Sequence, residues 1–389
     1  MKKRKIAIIG LRGIPGKYGG TETFIEELTD RLKDDFLFYV MHEDRKFYED
    51  SFNGVIRVHT PSVESKSTSI PSINDFISTL YILGKHGDID TFLFLGPDSS
   101  VAALIARIAG KKIILNPDGI EWKRLLKRSY FAPFYLIPIY LLTLLYMFLM
   151  EFLSCKIPDV VVADSNGIME HLKRHKPKKT VYIAYGARRL INEVSKGDED
   201  RILGKYNLKP KDFYLTVARI VAENNIHLEI EGFKTSNSNK KLIIVGNFNP
   251  KDPYNSYLTE LRERREDIIF LDPIYDKVKL GILRKNCFAY IHAYEVGGTN
   301  PSLLEQMLFR RPILAYDVPF HREVLQEGGI YFKDSKELAS KIEMLERGEF
   351  DLKTIKKMQI KRTMRQYNWE KVSKEYAKCF KFLIKERMR

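Results

Sequence analysis

The sequence predicts an α/β protein of two doubly wound domains, and three observations carry that expectation. Short apolar runs alternate with helical patterns almost from end to end, as in parallel sheets covered by crossover helices. The runs fall into two series, separated by a stretch of mixed charge over 188–200 in which apolar periodicity is lost. At 389 residues, 44% of them hydrophobic, the chain is long for one domain and sufficient for two cores.

In the first series the strands are expected at 6–9, 36–40, 56–58, 92–95, 112–115, 160–163 and 180–184. The second series comprises 213–217, 241–245, 268–271, 288–291, 312–315 and 329–332. These set an N-terminal domain over 1–190, a C-terminal domain over 191–368 and a terminal helix over 369–389. The two domains are expected to face a central cleft. Ligands of doubly wound sheets bind beyond the carboxyl ends of the strands, so the loops that follow the strands are the candidate sites.

Segment 129–150 breaks the pattern, for it contains no Asp, Glu, Lys or Arg and is long enough to cross a bilayer. A crossing would put strands of one sheet on opposite sides of the membrane. The segment also holds Pro133 and Pro138 and follows Lys123, Arg124, Lys127 and Arg128. An apolar element with a basic rim suits a helix or re-entrant hairpin lying in a leaflet; the alternative is burial in the protein or in an oligomer contact. The expected membrane-associating region is 129–153.

The formal net charge of +15 favours an anionic partner, such as a phosphate group or an anionic membrane surface. No nucleic-acid recognition motif accompanies it. The cysteines Cys155, Cys287 and Cys379 are too few and too scattered for a disulfide framework, which fits a cytoplasmic protein. The basic start is followed by too short an apolar run for a signal peptide.

Four loops carry candidate chemistry. Gly10-Leu-Arg-Gly-Ile-Pro-Gly-Lys-Tyr-Gly-Gly20 sits between the first strand and a helix, where glycines and a helix N-terminus can meet a phosphate or sugar hydroxyl. It has neither dinucleotide-binding nor P-loop spacing. Arg12 and Tyr18 are its candidate acceptor-binding residues, and Gly19 and Gly20 its donor-binding ones. In Asn116-Pro-Asp-Gly-Ile-Glu-Trp-Lys123, Asp118 and Glu121 can orient or deprotonate a hydroxyl, Trp122 can stack on a sugar and Lys123 can meet a phosphate. Arg219 ends a strand, where a permanently charged fork suits a diphosphate; Asn224 follows it, and Gly246 and Asn247 follow the next strand. In Val296-Gly-Gly-Thr-Asn-Pro-Ser-Leu-Leu-Glu-Gln-Met307, Asn300 is a helix cap and Pro301 a first helical residue. Gly297, Gly298 and Thr299 then present backbone N–H groups as an anion cradle, with Ser302 beside it and Glu305 placed for ribose hydroxyls.

With these four loops in place, the chain resembles retaining glycosyltransferases of the GT-B fold, specifically bacterial cell-surface polysaccharide rhamnosyltransferases. The resemblance runs nearly full length and includes Glu-Asn-Asn-Ile after Arg219 and Tyr367-Asn-Trp-Glu-Lys371. It departs from the wider retaining superfamily where Gly297 replaces a glutamate and Asn224 a basic residue. It implies two Rossmann-like domains and transfer of a deoxyhexose, L-rhamnose from dTDP-rhamnose, with retention onto a lipid-linked saccharide. Asp118, Glu121, Lys123 and Arg219 would be catalytic, and the enzyme would attach peripherally to the inner face of the cell membrane, with a homo-oligomer open. No cofactor or metal is expected, since Asp88-Ile-Asp90 and Asp198-Glu-Asp200 lie outside the site loops. A sugar-nucleotide epimerase of the same fold and an inactive membrane-bound partner subunit stay open as alternatives.

Overall fold

The computed structural model describes residues 3–16, 19–65, 68–69, 71–191 and 194–387. The chain forms two units: Met1–Trp122 with Leu141–Gly186 and Asn368–Arg389, and Lys123–Tyr140 with Ala187–Tyr367.

The first unit is built on an eight-stranded sheet. Its order is Thr180–Tyr182, Val160–Ala163, Lys112–Asn116, Thr91–Leu95, Arg4–Ile9, Phe36–Asp44, Val55–Pro61 and Tyr48–Phe52. Each expected strand is present, and all of these pair in parallel. The addition is Tyr48–Phe52, an antiparallel edge strand joined to Val55–Pro61 through Asn53 and Gly54, both at positive φ. That is the two-residue hairpin turn for which Asn-Gly is suited. The strand order reverses between Arg4–Ile9 and Thr91–Leu95, so the loops after those strands sit at a topological switch point. The terminal helix Trp369–Arg387 packs on this unit: Phe380 meets Phe36 and Phe38, and Tyr376 and Trp369 meet Phe24.

In the second unit the sheet has six parallel strands in the order Ile268–Leu271, Lys241–Val245, Phe213–Val217, Ala289–His292, Ile313–Tyr316 and Ile330–Phe332. Its switch point lies between Phe213–Val217 and Ala289–His292. Helix Ile226–Thr235 lies beside helix Ser335–Glu346, and Phe233, Leu338 and Ile342 are fully buried in the core they share.

Residues 123–140, expected with the N-terminal domain, belong to the second unit. The physical reason is ionic and aromatic: Arg128 forks onto Glu223, Lys127 meets Glu295 at 2.8 Å, and the Phe131 ring packs edge-on against Tyr254. These contacts also use up part of the expected basic rim, and Arg124 is buried.

The apolar segment forms helix Ile137–Lys156, preceded by a short turn at Phe134–Leu136. It is not buried within the chain: Phe134 is 84% exposed, Leu142 70% and Leu145 68%. Only its C-terminal end is enclosed, at Met150, Glu151, Ser154 and Cys155. The helix is long and apolar enough to span a membrane. However, it connects Lys112–Asn116 to Val160–Ala163, which are neighbouring parallel strands with Ile114 opposite Val160, and a crossover must return the chain to the same sheet.

Candidate functional site

The second unit's switch point is built from two loops laced together. One follows Phe213–Val217 and carries Arg219, Glu223, Asn224 and Asn225; the other follows Ala289–His292 and carries Tyr294 to Asn300. The Glu295 N–H donates to the Glu223 carbonyl at 3.0 Å. Asn225, in the left-handed region at φ 50°, donates its amide to the Ala293 carbonyl and the Glu295 carboxylate, both at 3.1 Å. Asn is among the few residues that take this conformation readily. Glu223 is fully buried and is neutralised by Arg128.

Arg219 stands on this scaffold with its side chain exposed. Its guanidinium has no ion pair among the described residues. The Asn224 amide donates to the Arg219 carbonyl at 2.7 Å, and Asn224 is itself buried. Asn224, expected among the donor-binding residues, thus spends an amide N–H on the backbone that carries the guanidinium.

Asn300 caps helix Pro301–Met307 as expected, its side chain accepting from the Ser302 N–H at 2.9 Å. The glycine loop before it is buried rather than open. A Cβ at Gly297 would lie 2.5 Å from the Tyr294 ring, so the ring occupies the space that any larger residue would fill. Thr299 is also buried. Ser302 is a correction: its hydroxyl turns inward to the Val217 carbonyl, the Tyr290 hydroxyl and Arg284, at 3.0, 2.9 and 2.8 Å. Gly246 is another, for its N–H is spent on the Leu271 carbonyl and its Cβ position lies 2.2 Å from the Ala218 carbonyl oxygen. It is the close approach of the Arg219 loop that requires glycine there. Asn247 is exposed beside it.

Two buried ionisable residues, neither singled out from sequence, support these loops. Arg284, fully buried on helix Lys277–Asn286, donates to the Ser302 carbonyl and hydroxyl and to the side chains of Gln306 and Glu305. Glu305 is thereby fixed at 3.3 Å from a guanidinium nitrogen. Glu229 lies behind the switch point, against the Thr216 hydroxyl and the Ala293 N–H, and burial pushes its carboxyl up to about 8. Neutral at pH 7, it ties the strand before one loop to the first residue of the other without adding charge.

In the first unit, Gly19 is the extended N-cap of helix Gly20–Leu32, and both Gly19 and Gly20 are exposed. Tyr18 lies outside the described residues. Arg12 is exposed above the buried Glu22, whose carboxyl is raised by burial against the opposing Arg12 N–H and charge. Glu22 is thus a buried acid under the glycine loop, and the Asp118 charge also reaches it.

Asp118 occupies the left-handed region at φ 56°, its N–H bonded to the Asn116 side chain at 3.0 Å. The Tyr185 hydroxyl donates to its carboxylate. Asp118 is therefore aimed by a buried phenol. Glu121 opens helix Glu121–Ser129, and its charge adds to the burial that pushes the Asp98 carboxyl up to about 6. Lys123 is exposed on that helix. Trp122 is half-buried and stacks one face of its ring on Phe148 of the apolar helix, with centroids 4.7 Å apart, so that face packs on protein.

Known families cover almost the whole chain in two matches. Residues 3–188 match a domain of unknown function, DUF1972. Residues 198–365 match the family Glycosyl transferases group 1. The chain carries a glycosyl transferase group 1 domain. That domain holds the laced switch point with Arg219. No curated protein matches the sequence significantly. Among solved structures, sucrose-phosphate synthase from Thermosynechococcus elongatus is similar with a TM-score of 0.79 and 16% identity, covering 99% of this chain and 100% of that one. Anabaena Alr3699/HepE in complex with UDP has a TM-score of 0.71 and 15% identity, over 97% and 99% of the two chains. The trehalose 6-phosphate synthase of Burkholderia multivorans has a TM-score of 0.69 and 9% identity, covering both chains fully. Both units thus follow the GT-B fold of paired Rossmann-like sheets.

Proposed function

We propose that the chain is a retaining glycosyltransferase that moves a deoxyhexose, L-rhamnose from dTDP-rhamnose, onto a lipid-linked saccharide in cell-surface polysaccharide synthesis. The observation that carries this reading is the exposed guanidinium of Arg219 at the switch point of the group 1 domain, on a backbone whose carbonyl Asn224 holds. A diphosphate leaving group gains negative charge as its bond to the sugar breaks, and a fixed cation at that point lowers the barrier more than it tightens ground-state binding. Glu305, anchored by Arg284, receives the ribose hydroxyls.

On the acceptor side, the Asp118 carboxylate orients the incoming hydroxyl, and the departing phosphate takes its proton. No metal takes part, because Arg219 carries the charge. The choice of rhamnose rests on the resemblance of the four loops to rhamnosyltransferases. The choice of a lipid-linked acceptor rests on the exposed apolar helix Ile137–Lys156, which follows the Asp118 loop after the helix Glu121–Ser129. In that reading the helix lies in the cytoplasmic leaflet and the enzyme works as a peripheral membrane protein.

The test is to incubate the purified chain with a panel of sugar nucleotides and lipid diphosphate-linked saccharides, and to follow the lipid by mass spectrometry. The expected product is an acceptor heavier by one deoxyhexose, formed with dTDP-rhamnose and with the anomeric configuration of the donor. Release of an altered free sugar nucleotide without acceptor would replace the reading by an epimerase.

A further inference from the structure

In the first unit, at the enclosed end of the apolar helix, three Lewis-basic atoms converge. The Nε2 atoms of His171 and His175 lie 2.8 and 2.9 Å from one oxygen of Glu151, and all three ligand atoms fall within 4.8 Å of one another. His171 is on helix Asn166–Lys173, and His175 is four residues on, in the turn held by its N–H to the Leu172 carbonyl. That spacing puts two imidazoles on one side of a helix, as in many metal sites. Glu151 comes from the enclosed end of the apolar helix Ile137–Lys156.

The surroundings distinguish this cluster from an ordinary ion pair. Glu151 is only 4% exposed, yet no lysine or arginine pairs with it among the described residues. Its partners are two imidazoles rather than a permanent cation, and a buried carboxylate favours a positive charge beside it. The neighbours are apolar rings: Trp122 lies 6.3 Å from His171 and Phe152 6.0 Å from His175, centroid to centroid. His175 is the most open of the three, with a quarter of its side chain exposed, which leaves a side for water as the fourth ligand.

We propose that Glu151, His171 and His175 bind a first-row divalent metal ion, zinc or a close neighbour, which fastens the enclosed end of the apolar helix to the helix behind it. Two neutral imidazoles and one carboxylate are a ligand set that such ions take, with an open position for solvent. The ion's charge would satisfy the buried carboxylate, and the imidazoles would move away from the carboxylate oxygen to admit it. The role is structural: it holds the helix that carries the apolar surface and is separate from sugar transfer.

The experiment uses the full chain, stripped with a chelator and titrated with Zn²⁺ by calorimetry, with Co²⁺ absorption and Trp122 fluorescence as independent readouts. The expected result is one tight zinc per chain, a visible Co²⁺ spectrum, and a rise in melting temperature on adding zinc. His175→Ala and Glu151→Gln should each weaken binding on the order of 100-fold or more, since loss of a mere outer partner of a ligand already costs 10- to 100-fold. His86→Ala, elsewhere in the unit, should leave it unchanged. Wild-type protein that takes up no zinc would overturn the proposal. So would a His171→Ala/His175→Ala chain, folded by circular dichroism, that binds zinc as well as wild type.

Discussion

The side-chain amide of Asn224 holds the backbone carbonyl of Arg219 at 2.7 Å, while the guanidinium of Arg219 stands exposed. Asn224 thus acts on the site through Arg219. Its replacement by Ala should release that carbonyl and loosen the aim of the guanidinium. One lost hydrogen bond of about 1.4 kcal/mol corresponds to a roughly tenfold drop in kcat. In the Arg219→Ala background the same change should have little further effect, and steady-state kinetics of the four proteins of this cycle measure the coupling.

Arg284 is an interior cation with several partners, so its loss removes the ion-pair partner of Glu305 and a donor to the Ser302 hydroxyl. Arg284→Ala should destabilise the second unit by roughly 3–5 kcal/mol, the usual cost of breaking a buried pair from one side. Urea unfolding followed by circular dichroism checks it.

The carboxyl of Glu229, raised by burial to about 8, makes stability depend on pH. Between its unfolded value near 4.5 and about 8 the folded chain holds a proton that the unfolded chain has released. This contribution is therefore complete below the unfolded value and declines as pH rises, at up to about 1.4 kcal/mol per pH unit. Glu229→Gln copies the protonated acid. It should match wild type near pH 4.5 and become the more stable protein by pH 8, as read from melting curves across that range.

Leu142 and Leu145 are 70% and 68% exposed on helix Ile137–Lys156. Leu142→Asp/Leu145→Asp should leave the melting temperature within about 2 °C, since neither side chain belongs to a core. Sedimentation with anionic vesicles should show the variant in the supernatant and wild type in the pellet.

The strands were legible because each buried run is apolar on both faces and bounded by turn residues. The edge strand Tyr48–Phe52 was not, for it is half polar; the Asn53-Gly54 turn was its one signal. At the site, the Asn300 cap followed from local chemistry alone. Ser302, Gly246 and Trp122 looked ligand-facing because sequence does not tell which way a side chain points: the first turns inward to Arg284, the second yields to a carbonyl and the third packs on Phe148. Arg284 itself gave no signal, since an arginine on a helix reads as a surface residue until its buried partners are seen.

The most direct measurement is the single-turnover rate of sugar transfer for Arg219→Ala beside wild type, at saturating sugar nucleotide. Loss of one fixed positive donor to the leaving diphosphate should slow the chemical step by about 100-fold, roughly 3 kcal/mol, with a smaller change in donor affinity. A variant that transfers sugar at the wild-type rate would contradict the assignment of Arg219 to the departing diphosphate.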